Sequence, residues 1–279
     1  MTTLFAWVTP AFWSGSPLDH TWVTTYNSNL TPYPAIADVV AAGEDLWYCW
    51  GSFHPIGNPP GMLASRAGNR ALAECLVQPN ADSSTSAPAR GTIFTYGVDG
   101  VCHQLANQVL YATGSPGNPP LTVKGARGYS LSSFLFGTYG LQASAWHTKL
   151  QGCLGLGDPV SGLPQWSEKI MPDAPPTPAL PDDFRDHARE VLADDPEKLQ
   201  ALMALRGEMQ AFLARRVPGF LPPDAEMLNA HHRHMLEQAA LLLGPEKFTQ
   251  LFGIEPGEQV DLVDPAMAAA QRGDEPQPL

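Results

Sequence analysis

One of the four cysteines has the surroundings of a nucleophile. Cys102 lies in TYGVDGVCHQLANQVL, behind Gly97 and Gly100, where a helical pattern begins. A thiol at a helix N-terminus feels the positive end of the backbone dipole, which lowers its pKa and favours thiolate. The N–H groups of that helix turn can also hold an oxyanion during acyl transfer. A cysteine nucleophile needs a base, and the base needs a polar group to orient it. His20 opens the strand-like run HTWVTTY (20–26), and His54 closes DLWYCWGSF (45–53) with the next residue. Antiparallel pairing of these two runs places His20 beside residues 52–54 at one sheet edge, where Ser52 and His54 supply polar groups.

Other residues carry weaker signals. His103 follows Cys102 directly, about 100° around the helix, and is expected on the surface rather than as the base. His147, in SAWHTKL, is expected to be structural. Trp22, Trp47 and Trp50 could wall an apolar acyl pocket, although core packing is the commoner role of such side chains. Lys124 and Arg127 are rare positive charges in the first part and could hold a substrate carboxylate. The rival centre is His231 and His234, which share a helix face at i,i+3. Two such histidines bind zinc or iron when a carboxylate joins them. The chain has no His-Glu-x-x-His and no paired Glu-x-x-His, so structural or surface histidines are the expectation there.

These residues need elements to position them. The alternation in 20–26 and 45–53 predicts strands, with a short helix or turn at AIADVVAA between them. Residues 62–77 have helical composition, 79–90 form a polar loop, and TIFTYG (92–97) is a strand candidate. Val101, Leu105, Val109 and Leu110 fall near helical spacing over 101–112. YSLSSFLFGTYG (129–140) reads as a strand pair or a sheet edge. From 181 the pattern is helical: 181–192 with an acidic start, 196–216 with an apolar stripe, 222–244 closing at Gly244, and a short helix at 245–253.

The chain has 279 residues, 44% of them hydrophobic, 16% charged, with 28 prolines and 25 glycines. A folded core with many turns follows. Residues 1–166 hold eight acidic and six basic side chains, and 167–279 hold twenty and ten. The change coincides with six prolines in 164–181, the composition of a stiff linker. The expected organisation is an α+β domain over 1–167, a linker at 168–180, an all-α region over 181–264 and a disordered tail over 265–279. A net charge of −12 argues against nucleic-acid binding. No apolar run is long enough for a membrane span. No secretory leader and no Cys-x-x-Cys are visible, so reduced thiols and a cytoplasmic location are expected. No cofactor motif is present, and none is expected.

The order of the reactive residues resembles the circularly permuted branch of the papain-like cell-wall peptidase superfamily, which includes the lecithin retinol acyltransferase group. Asp19-His20-Thr21-Trp22-Val23 resembles the histidine strand, His54 falls at the orienting position, and Gly100-Val101-Cys102-His103 resembles the start of the cysteine helix. The similarity covers roughly residues 15–140. It implies a small antiparallel sheet with a cysteine-bearing helix. It also implies hydrolysis or acyl transfer at an amide or peptide bond through a Cys102 thioester. His20 would be the base, with His54 or, failing it, Ser52 as orienter. The Cys102 N–H would hold the oxyanion, with Tyr96 a second donor. Trp22, Trp50 and Arg127 would meet a small-molecule or peptide substrate. Apart from the resemblance, the amphipathic C-terminal helices are expected to pack on the first domain, on a protein partner or on a second copy. The alternatives to a cysteine enzyme are a metal-binding helical enzyme using His231 and His234 or a non-catalytic partner-binding protein.

Overall fold

The computed structural model describes residues 2–10, 18–24, 70–77, 95–111, 119–144, 147, 180–213, 223–265 and 268–269. Among these are three strands and six helices. The strands are β1 (Thr2–Pro10), β2 (Asp19–Thr24) and β3 (Arg70–Val77). They form an antiparallel sheet in the order β2-β1-β3, so the N-terminal strand is central. Val8 pairs with Thr21, Thr9 with His20 and Pro10 with Asp19. Pro10, which has no N–H, sits at the strand end, where the ladder loses least.

The helical reading of 62–77 is corrected over its second half: residues 70–77 form β3. Ala71, Ala73 and Leu76 are good helix formers, but intrinsic propensity is worth only on the order of tenths of a kcal/mol per residue, and pairing along β1 outweighs it. Of the strand expected at 92–97, residues 92–94 lie outside the described residues, and the rest is corrected: Thr95 to Gly100 form a turn with an isolated bridge between Tyr96 and Gly100. The central position of residues 2–10 was not foreseen. The strand expected at 45–53 lies outside the described residues, as does the helix or turn at 35–42.

The first two helices are α1 (Cys102–Leu110) and α2 (Tyr129–Phe136). Gln104 Oε1 accepts the Val101 N–H at 3.0 Å, half of a capping box that starts α1. The strand pair expected at 129–140 is corrected to α2 followed by a turn. Gly128 stands at its N-cap with φ +78°, and a Cβ there would lie 2.1 Å from Leu18 Cδ2. Only glycine allows both that backbone and that approach of the chain before β2.

The remaining helices are α3 (Asp183–Val191), α4 (Pro196–Leu213), α5 (Ala225–Leu243) and α6 (Pro245–Phe252). Asp182, Asp195 and Asp224 each accept an N–H three residues on, as helix N-caps do. Arg206 of α4 supplies a C-terminal cap for a different helix: its Nε and Nη2 donate to the Phe134 and Ser133 carbonyls of α2 at 3.0 and 2.9 Å. The Phe134 carbonyl lies in the last turn, where intrahelical donors run out, and the Ser133 carbonyl also accepts the Gly137 N–H.

One apolar cluster joins Leu18, Tyr96, Val98, Val101 and α2 to the helices after 180. The elements on either side of the expected linker therefore share a core. The linker itself lies outside the described residues. Ala268, in the tail expected to be disordered, is buried in the same core. Among the described residues, no helix is long and apolar enough to cross a membrane.

Candidate functional site

The start of α1 lies along the outer edge of β2. In an antiparallel pair, alternate residues turn their backbone groups away from the partner strand. On β2 these are Asp19 and Thr21. The Asp19 N–H donates to the Arg127 carbonyl at 3.0 Å, and the Asp19 carbonyl accepts from His103 Nε2 at 2.9 Å. An edge that would otherwise invite another strand is thereby covered.

His103 is wholly buried, so the surface position expected for it is corrected. A carbonyl only accepts, so Nε2 carries the proton, and Nδ1 faces Ser132 Oγ at 2.8 Å. Burial pushes the His103 pKa down to about 4, against the raising effect of the Asp19 carbonyl and carboxylate. It is a neutral anchor between helix and strand. The other polar residues of α1 are used in the same way. Gln104 Nε2 donates to Ser132 Oγ and the Gly137 carbonyl, and Gln108 Nε2 to the Tyr139 carbonyl. Asn107 Nδ2 donates to Tyr129 Oη and the Thr138 carbonyl, while its Oδ1 accepts the Val123 N–H.

This network places Cys102 against Thr21. The thiol is buried, with the Thr21, His103 and Cys102 N–H groups around it. The Thr21 hydroxyl faces the sulfur outside hydrogen-bond geometry, and Oγ1 has no hydrogen-bond partner among the described residues. Burial raises the thiol pKa to about 11, and the donors at Thr21, His103 and Cys102 only partly offset it. The low pKa expected from the helix terminus is therefore corrected: desolvation outweighs the dipole and the N–H groups.

Tyr96, in the turn before Cys102, is buried, and a charge on the Cys102 sulfur acts on its hydroxyl. Burial holds its hydroxyl well above the ordinary pKa, reinforced by Cys102 and Asp264. Its Oη accepts the Asp264 N–H at 2.8 Å. His20 is not among the groups acting on the thiol. It is half-buried between Asp19 and Thr21, and strand alternation puts it on the opposite face from both. His54, Ser52, Trp47 and Trp50 lie outside the described residues. Trp22 is in register with Trp7 on β1.

Arg127 does not wait for a substrate carboxylate. Its Nε and Nη2 donate to Asp19 Oδ1 at 3.0 and 2.8 Å, and its backbone N–H donates to Oδ2 at 3.0 Å. Asp19 was missed as a site residue, although it directly precedes His20. Thr21 and Asn107 were missed too. The available signal was the polar set Gln104, Asn107 and Gln108 at helical spacing on an otherwise apolar segment. His147 has a partner, Tyr111 Oη at 2.9 Å.

The rival centre is not assembled. His231 is half-buried, and His234 is exposed, 3.8 Å from Glu237. Among the described residues, no group of three or more His, Cys, Asp or Glu side chains is placed to hold a metal ion. No protein-family model, curated protein or solved structure matches the chain.

Proposed function

We propose that the chain is a cysteine-dependent hydrolase or acyltransferase acting at an amide or peptide bond, here in a closed state. One observation carries this reading: the Thr21, Cys102 and His103 N–H groups surround one sulfur at a helix start. That is a donor set able to stabilise a thiolate and, in turn, an acyl oxyanion. The implied fold is the permuted papain-like arrangement, with β2 as the histidine strand and α1 as the cysteine helix.

In the reaction, His20 takes the Cys102 proton and Sγ forms a bond to the acyl carbon. The C–N bond breaks, and the amine leaves with the proton returned by His20. Water or another acceptor then attacks the thioester, and the C–S bond breaks. In the closed arrangement the imidazole and the thiol are on different faces of β2. Catalysis therefore requires the contact between β2 and the start of α1 to rearrange so that the two groups meet, with the turn before Cys102 opening to admit substrate. Tyr96 borders the oxyanion position, and His54 or Ser52 is the orienting group.

The test is turnover of a panel of peptide, amide and thioester substrates, with mass spectrometry for an acyl adduct. The wild-type chain should form the adduct on Cys102. Cys102→Ala should lose both adduct and turnover, and His20→Ala should lower kcat by about 100-fold or more. Turnover that persists in Cys102→Ala rejects the reading.

A further inference from the structure

We propose that segment 260–264 is a strap that keeps Cys102 closed by clamping the turn immediately before it. The inference rests on the cysteine-site reading above and adds a regulatory element to it. The segment has no helix or strand of its own, yet Val260, Leu262 and Val263 are buried. Side chains hold it in place. Asn229 of α5 grips the Val263 backbone from both sides, donating from Nδ2 to its carbonyl and accepting its N–H on Oδ1, both at 2.9 Å. The next residue donates its N–H to Tyr96 Oη at 2.8 Å.

The turn fits under this strap because residue 97 is glycine. A Cβ on Gly97 would lie 2.9 Å from Leu228 Cδ1 and 3.0 Å from Val263 Cγ1, and its φ is +77°. The strap, α5 and the turn are thus in contact at the position five residues before the thiol. Tyr96 joins the strap to the turn, accepting the Asp264 N–H on its hydroxyl while its backbone bridges to Gly100, two residues before the thiol. At the surface end, Arg233 pairs with Asp261, and both side chains are partly exposed. This ion pair is the part of the latch that solvent, salt or a competing charged group can reach. Release of the strap frees Tyr96 and the turn together. That is the movement the thiol needs to meet solvent and substrate.

Two measurements on the full chain test this. The first uses the unmodified protein: the alkylation rate of Cys102 with iodoacetamide, followed by mass spectrometry, is compared with amide hydrogen exchange. The opening equilibrium from Cys102 alkylation should match that of the Val263 and Asp264 amides. It should exceed that of the buried α5 amides, which report global unfolding. If Cys102 opens only with α5, the strap is rejected. The second measurement uses variants. Asn229→Ala should speed Cys102 alkylation about tenfold or more, through loss of two buried hydrogen bonds, while the α5 amides stay far better protected than Cys102. Arg233→Gln should give a smaller increase, about two- to threefold, which high salt reproduces in the unmodified chain. Unchanged alkylation in a folded Asn229→Ala also rejects the strap. Faster alkylation without turnover on any acyl substrate upholds the strap and rejects catalysis. Turnover by the unmodified chain with strap-independent alkylation does the reverse.

Discussion

The helix that carries Cys102 and the helices that follow residue 180 are both buried, but by different chemistry. α1 turns His103, Gln104, Asn107 and Gln108 inward, and each is hydrogen-bonded. The C-terminal helices turn phenylalanines inward: Phe184 and Phe252 pack with Phe134 of α2, and Phe248 packs with Phe252, at ring separations near 5 Å. Apolar contact tolerates sliding, because dispersion and water exclusion have little direction. A hydrogen-bonded interface does not, because each donor must meet one acceptor. The rigid polar seat is where the thiol is, and segment 260–264 combines both kinds of contact, with buried Val260, Leu262 and Val263 and a backbone fixed by Asn229.

The largest effect is expected where the two kinds of packing meet. Arg206 is buried, pairs with Asp182 at 2.7 Å and caps α2. Arg206→Ala leaves Asp182 without its main partner and takes one donor each from the Ser133 and Phe134 carbonyls, which keep the Gly137 N–H and Gln210 Nε2. A loss of about 3–5 kcal/mol is expected in urea unfolding. A loss under about 1 kcal/mol would mean that α2 is held by its apolar face alone.

A matched pair of substitutions sharpens the contrast. Phe252→Leu keeps an apolar side chain in an apolar site and should cost about 1.5 kcal/mol or less. Asn107→Leu keeps a similar volume but strips partners from the Val123 N–H and the Thr138 carbonyl. It should cost about 3 kcal/mol. Equal costs would remove the distinction between the two regions.

The buried histidines make the same point with one residue type. His103 is hydrogen-bonded at both nitrogens, whereas His232 of α5 packs against Phe136 with neither nitrogen hydrogen-bonded among the described residues. Burial lowers both pKa values, to about 4 and about 3. In each case the unfolded chain takes up the proton first. The stabilisation is therefore complete above pH 6.5 and falls as pH drops toward the folded-state pKa. Each histidine should contribute about 1.4 kcal/mol per pH unit in that window. His232→Leu should roughly halve the slope and leave stability at pH 7 unchanged or about 1 kcal/mol higher. His103→Leu should cost about 2 kcal/mol at pH 7. Reversal of those two neutral-pH results would mean that the hydrogen bonds of His103 do not anchor α1.

The contrast also explains what could be read from the residues. The C-terminal helices were legible because Leu199, Leu202 and Met209 repeat at helical spacing and aspartates mark the caps. α1 was legible as a helix from Val101, Leu105 and Leu110. What it faces was not legible, because the partners of Asn107 and Gln108 are backbone carbonyls 31 residues away, and a carbonyl has no sequence signature. β3 was misread for a related reason. Its alanines and leucine favour a helix, and the deciding contact is with β1, far away in the chain. For Cys102, the N–H groups of a helix start were foreseeable, but not the burial that overrides them. That burial depends on residues such as Thr21, which precedes Cys102 by 81 positions.

The smallest effect marks where sequence-visible pairing stops mattering. Arg189 and Asp186 on α3 stand at i,i+3, 3.4 Å apart, with side chains 60% and 67% exposed. The pair is as easy to read from the residues as any cap in the chain. Water solvates both partners before and after folding, so little is gained when they meet. Arg189→Ala should change stability by less than about 0.5 kcal/mol, and added salt should erase even that. The Arg206–Asp182 pair uses the same two residue types, one helix away. Measured side by side in a double-mutant cycle, the buried pair should show a clear coupling energy and the exposed pair none within error. If the exposed pair coupled as strongly, burial would not be what separates the contacts that position Cys102 from those that merely decorate the surface.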